Sequence, residues 1–107
     1  MKHLVSLVES AEADLLDIYH YVEINDSSAR ADELLGKLEQ TISSLTDMPE
    51  RGHYPPELDR IGVRDYREVH HKPYRIIYTI QGQSVIVHCV LDGRRDMETL
   101  LQQRLLR

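Results

Sequence analysis

The sequence holds one cysteine, Cys89, which excludes an internal disulfide framework and a cysteine-rich zinc site. It has no apolar run near the roughly 18–20 residues a membrane-spanning helix needs; the longest, Val85 to Leu91, is interrupted by His88. Basic residues are scarce at the front. Lys2, Arg30 and Lys37 stand against eleven Asp and Glu in residues 1–50, a balance of −8. Residues 51–107 carry ten Lys and Arg against seven acids, a balance of +3. Solvated acidic helix faces account for the first half, and the basic excess in the second points weakly to an acidic or nucleic-acid partner. The start, Met1-Lys2-His3-Leu4-Val5, reaches acidic Glu9 too soon for a secretory hydrophobic region, so a cytoplasmic location is expected. What remains is ordinary: 107 residues, 41% hydrophobic and 29% charged, which argues against disorder or fibre and predicts one domain spanning 1–107.

Periodicity supplies the organisation. His3 to Val8 is short, apolar and partly β-branched, and predicts a strand. Ser10 offers an N-cap to a helix whose face is Ala11, Leu15, Ile18, Tyr19 and Val22. Asp26 or Ser27 can cap a second helix with the stripe Ala31, Leu34, Leu35, Leu38, Ile42 and Leu45, ended by Pro49. So short a link predicts an antiparallel helical hairpin. Met48 to Gly62, with three prolines and two glycines, reads as a loop. Strands are predicted at Tyr66–His71, Tyr74–Ile80 and Ser84–Leu91, the last apolar on both faces and therefore central and doubly covered. Gln81-Gly82-Gln83 makes the tight turn, and Met97, Leu100, Leu101 and Leu105 predict a closing helix. The order is β-αα-βββ-α: an α+β fold, with a helical hairpin packed on a small, mainly antiparallel sheet.

Few residues in this pattern offer chemistry. Six histidines invite a metal reading, but His70 and His71 point to opposite faces of one strand and the others lie on different elements. No metal and no cofactor is expected. Cys89, in the middle of an apolar strand, reads as an inert buried thiol, and Asp14 with Asp17 as a solvated helix face. Arginines are the stronger signal. Arg75 lies on a strand opposite the Tyr74/Tyr78 side, and the hairpin sets it across from about residue 89, near Arg94 and Arg95 beyond the strand end. Converging guanidiniums on rigid elements suit a phosphate or an acidic chain, with Arg67 and Lys72 nearby. Glu68, Asp92 and Asp96 offer the opposite reading, a neutralised structural network.

Taken together, Pro73-Tyr74-Arg75-Ile76-Ile77-Tyr78, the Gln81-Gly82 turn and Val90-Leu91-Asp92-Gly93-Arg94-Arg95-Asp96 resemble the RelE/ParE superfamily of type II toxin–antitoxin toxins. Asp14-Leu15, Leu45 with Met48-Pro49, and Gly52 match its usual pattern as well, so the resemblance spans essentially the whole chain. It implies the superfamily fold, a role in plasmid stabilisation, and a cognate antitoxin whose C-terminal segment wraps the toxin, with Leu16, Tyr19 and Leu35 as its contacts here. DNA is then met only through the antitoxin, and no membrane is involved.

The resemblance divides by target. ParE-like members inhibit DNA gyrase and lack nuclease activity; RelE-like members cut mRNA in the ribosomal A site. Arg75 and Arg94 occupy the places of the superfamily's strand and post-strand arginines, and with Arg95 are the expected target-binding residues. Under the nuclease alternative Arg75 and Arg94 serve the phosphate while Glu68 and His70 act as base and acid. The other nuclease parts are poorly represented. The strand before YRIIY has no lysine, Leu100 falls where those enzymes carry a tyrosine, and Asp92-Gly93 where others carry a histidine. A net charge of −5 also suits a protein target better than a dense phosphate field. The gyrase-directed reading therefore leads, and a non-toxic peptide-binding module is the third possibility.

Overall fold

The computed structural model describes residues 2–106. Strand β1 (Leu4–Leu7) leads into α1 (Glu9–Asn25), which turns at Asp26-Ser27 into the antiparallel α2 (Ser28–Ser43). Strands β2 (Arg67–His71), β3 (Tyr74–Gln81) and β4 (Ser84–Asp92) follow, and α4 (Met97–Leu105) closes the chain. The sheet order is β1-β4-β3-β2, with β1 parallel to β4 and the other pairs antiparallel. This is the predicted α+β arrangement.

Two local expectations need correction. Helix α1 begins two residues earlier than Ser10 suggests: Val8 holds the cap position in extended backbone without a side-chain bond, and Glu9 and Glu12 complement the helix dipole instead. Segment 48–62 is not bare loop. It contains the 3₁₀ turn Pro49–Arg51 and a short helix α3 (Pro56–Asp59), for which Pro56 supplies a preset first-turn φ. By contrast Ser27 caps α2 as expected, its hydroxyl accepting from Arg30 N at 3.1 Å.

Both sheet faces are covered. On one, Ala11, Leu38, Ile42 and Leu45 of the helical hairpin and its end pack on Val69, Ile76, Tyr78, Val85, Val87 and Val90. On the other, Leu58 of α3 and Met97 and Leu101 of α4 pack on Ile77, Cys89 and Leu91. Each fully buried aliphatic side chain of this kind contributes about 1.5–3 kcal/mol. Strand β4 is central, flanked by β1 and β3, as its two apolar faces require.

A β-bulge sets the register. Gln81 pairs with Ser84 across the Gly82-Gln83 turn, where Gly82 takes φ 61°. Tyr78 pairs with Val87 but Ile77 with Cys89, leaving His88 as an extra residue. Strict alternation would keep 85, 87 and 89 on one face. With the bulge, Val85 and Val87 face the hairpin while Cys89 faces α4. Arg75 sits opposite Leu91, two positions past the expected residue 89: the turn closes at Gln81 and Ser84, which shifts the pairing by one, and the bulge adds the other.

Asp14 seals this irregularity. Its Oδ2 accepts from Val90 N at 2.9 Å, and Arg104 of α4 donates to both of its oxygens at 2.9 and 3.0 Å. Arg104 also reaches His88 O at 3.4 Å. Asp14 is therefore a structural anchor between helix, bulge and closing helix, correcting its reading as part of a solvated face.

Candidate functional site

The sheet face turned away from the helical hairpin carries a charged cluster at its β2 edge. Period-two alternation along β2 sends Val69 into the hairpin core, so Glu68 and His70 share the opposite face. On β3 the same alternation puts Arg75 beside them, since Ile76 is a hairpin-side residue and His70 is its register partner. Arg75 Nε and Nη2 donate to Glu68 Oε1 and Oε2 at 2.5 and 3.0 Å. Its Nη1 and Nη2 donate to Glu57 Oε2 and Oε1 of α3 at 2.9 and 2.7 Å. One guanidinium thus forks onto two carboxylates. Glu68 is 1% exposed and the Arg75 side chain 13%. The Glu57 bonds raise the Arg75 pKa further above its ordinary range, and Arg75 in turn holds the Glu57 carboxyl below the usual carboxylate range.

The loop before β2 completes the cluster. Tyr78, fully buried, donates its hydroxyl to Pro49 O and accepts from Gly52 N at 3.2 Å. A β-carbon at residue 52 would fall inside that hydroxyl and 2.7 Å from Glu68 O, so only glycine fits. Arg67 Nη1 donates to Gly52 O at 2.9 Å, and His53 and Glu68 exchange backbone hydrogen bonds of 3.2 and 2.8 Å. That pairing carries the His53 ring to the cluster: its Nε2 lies 3.2 Å from Glu68 Oε2, while His70 Nε2 lies 3.1 Å from Oε1. The two rings meet edge to face at 5.1 Å.

Arg75 and Arg94 do not form the exposed positive site that their spacing predicts. Arg75 turns toward β2 and α3, where two carboxylates consume its charge. Arg94 folds back on Asp92, donating at 3.0 and 2.6 Å, and lowers that carboxyl's pKa. Of the three acids expected to neutralise these arginines, Glu68 and Asp92 do so. Asp96 instead caps α4, accepting from Thr99 N at 3.2 Å. Arg94 remains 74% exposed and Arg95 is exposed beside it. Gly93 packs directly against the Arg75 stem, where a β-carbon would lie 2.8 Å from Arg75 Cδ. Cys89 is fully buried and its thiol is pushed up to about 12, which suits a packing residue and not a nucleophile.

Leu16 and Leu35 line an apolar groove of about 820 Å³ between β1 and the two long helices, together with Leu4, Val5 and Leu15. Tyr19 lies apart from it, its hydroxyl donating to Asp32 Oδ1 at 2.8 Å across the helical hairpin. Glu57 and His53 escaped the sequence reading because both belong to segment 48–62, whose placement depends on contacts far along the chain. The Pro56-Glu57 pair was the available signal, a helix start with an acid in its first turn.

Comparison with known proteins places this architecture. The chromosomal ParDE system of P. aeruginosa matches with a TM-score of 0.70 at 15% identity, over 83% of this chain and 94% of that one. The RelBE2 toxin–antitoxin complex of Mycobacterium tuberculosis matches at TM-score 0.63 and 18% identity, over 86% and 92%. A double arginine-to-alanine mutant of the E. coli toxin RelE, in the free state, matches at 0.65 and 13%, over 100% and 98%. No curated protein sequence matches the chain. The family model of the ParE toxin of type II toxin–antitoxin systems matches residues 5–97. The chain therefore belongs to the ParE family of type II toxins, within the RelE/ParE superfamily.

Proposed function

We propose that this toxin acts by inhibiting DNA gyrase and is neutralised by a cognate antitoxin. The observation that carries the reading is the state of Arg75. Stabilising a phosphorane needs an uncommitted cation at the reacting phosphate, and this guanidinium is already bound by Glu57 and Glu68. Leu100, half-buried and apolar, offers no proton donor in α4. Arg94 and Arg95 are the accessible cations for contact with the target, and Arg75 supports them by holding the sheet edge. The groove at Leu16 and Leu35 suits an amphipathic antitoxin segment, and β1 presents an outer edge without a strand partner among the described residues. Tyr19 contributes by fixing the spacing of α1 and α2.

The test is pulse-labelling of DNA and protein synthesis just after induction without antitoxin. DNA synthesis is expected to stop first, with loss of gyrase supercoiling by the purified toxin. Arg94→Ala with Arg95→Ala should weaken both effects. A second reading rests on the Glu68–His70 contact, which sets a carboxylate beside an imidazole at 3.1 Å, the pairing of a base and an acid for mRNA cleavage. Under it translation stops first, and His70→Ala removes the cleavage. Unaffected growth would favour a non-toxic binding module.

A further inference from the structure

His53 lies in the loop before β2, yet its bridge to Glu68 gathers it with Glu68 and His70 of that strand, three ligand atoms within 4.8 Å of one another. Their spacing is compact enough for one ion to reach all three. A tetrahedral ion with bonds of about 2.0–2.1 Å sets neighbouring ligand atoms about 3.3–3.4 Å apart. His53 Nε2 lies 3.2 Å from Glu68 Oε2 and His70 Nε2 3.1 Å from Oε1, so a shared ion needs the two exposed rings to swing toward one carboxylate oxygen.

Charge points the same way. Arg75 faces two carboxylates, so one unit of negative charge is left over in the cluster. Each oxygen of Glu68, which is 1% exposed, accepts from Arg75 and also lies within 3.2 Å of one imidazole nitrogen. A buried charge must be paired, and a cation held between these rings would pair it. Arg75 and Glu57 then fix the carboxylate's orientation from behind, as outer-shell groups do at metal sites. The rings give access, being 60% exposed at His53 and 37% at His70, and leave a further position to solvent. Two imidazoles and one carboxylate favour zinc and its transition-metal neighbours over magnesium or calcium.

We propose that His53, Glu68 and His70 form a binding site for a divalent transition-metal ion of the zinc class. The probe is ZnCl₂, titrated calorimetrically into the purified full-length chain with excess MgCl₂ present. Saturable binding at one ion per chain is expected. His53→Ala and His70→Ala should each weaken it by at least about tenfold. His71→Ala, which alters the other face of the same strand, should leave it unchanged. Far-UV circular dichroism of each metal-free variant verifies that the fold survives, which exposed rings allow. Absence of saturable zinc binding would overturn the proposal and leave the two imidazoles as hydrogen-bond partners of Glu68 alone. Binding that both variants retain, or that His71→Ala removes, would overturn it equally by placing the ion elsewhere.

Discussion

Arg75 holds two carboxylates with one side chain, so replacing it strands both. Breaking a buried pair by removing one partner costs about 3 kcal/mol or more, because an uncompensated charge remains behind. Arg75→Ala is therefore expected to lower Tm by roughly 10 °C or more. Arg75→Lys should recover only part of the loss, since an ammonium cannot fork onto Glu57 and Glu68 together. Urea unfolding of the three proteins measures the difference.

His88 makes a second residue-scale prediction. Burial beside the bulge lowers its pKa, so protonation favours the unfolded chain. Its contribution to stability is complete above the ordinary histidine pKa of ~6.5 and is lost as pH falls below it. Between pH 7 and 5, His88→Gln should lose less Tm than the parent protein does. Thermal melts across that range check the sign; an equal slope would show that His88 does not titrate in the fold.

At the scale of elements, α4 is the closing half of a core and not an appendage. Met97 and Leu101 are buried over Ile77 and Cys89, so truncation at residue 97 would expose that face instead of isolating a function. Exposed positions of α4 such as Glu98, Gln102 and Gln103 are the right places to probe target contact. The Asp14–Arg104 pair ties α4 to the bulge. Asp14→Asn keeps an oxygen for Val90 N but loses the ion pair, whereas Asp14→Ala loses both. The expected costs are about 1 and about 3 kcal/mol respectively, read from urea midpoints.

The same elements show how far local pattern reaches. The helical stripes, YRIIYTI and SVIVHCVL reveal their structure because their partners follow from period alone. Glu68 and His70, two apart on one strand, could be assigned to one face. The bulge at His88 could not, since it reconciles two packed faces and brings Val90 N to Asp14, 76 residues before it. Nor could the contacts of Glu57 and His53, which depend on Tyr78 pinning the loop at Pro49 and Gly52. Arg75 was legible as the central charged residue and Glu68 as one of its partners, but Glu57 was not.

At the scale of the whole molecule, the sheet joins strands of very different separation in sequence. Strands β3 and β4 meet across a two-residue turn, whereas Leu4 of β1 pairs with Ser84, eighty positions away. Closing so long a loop has an entropic cost, which β1 shares with the packing of Val5 and Leu7 and with the Asp14–Val90 contact of α1. That edge also lines the groove of Leu16 and Leu35, and its four-residue pairing is the shortest in the sheet. Amide hydrogens bonding β1 to β4 should exchange well before those between β3 and β4 in the free toxin, and slow sharply once the groove is filled. The chain's first strand thus works as a latch: least secured by its own fold, it is the piece whose fastening a partner can complete.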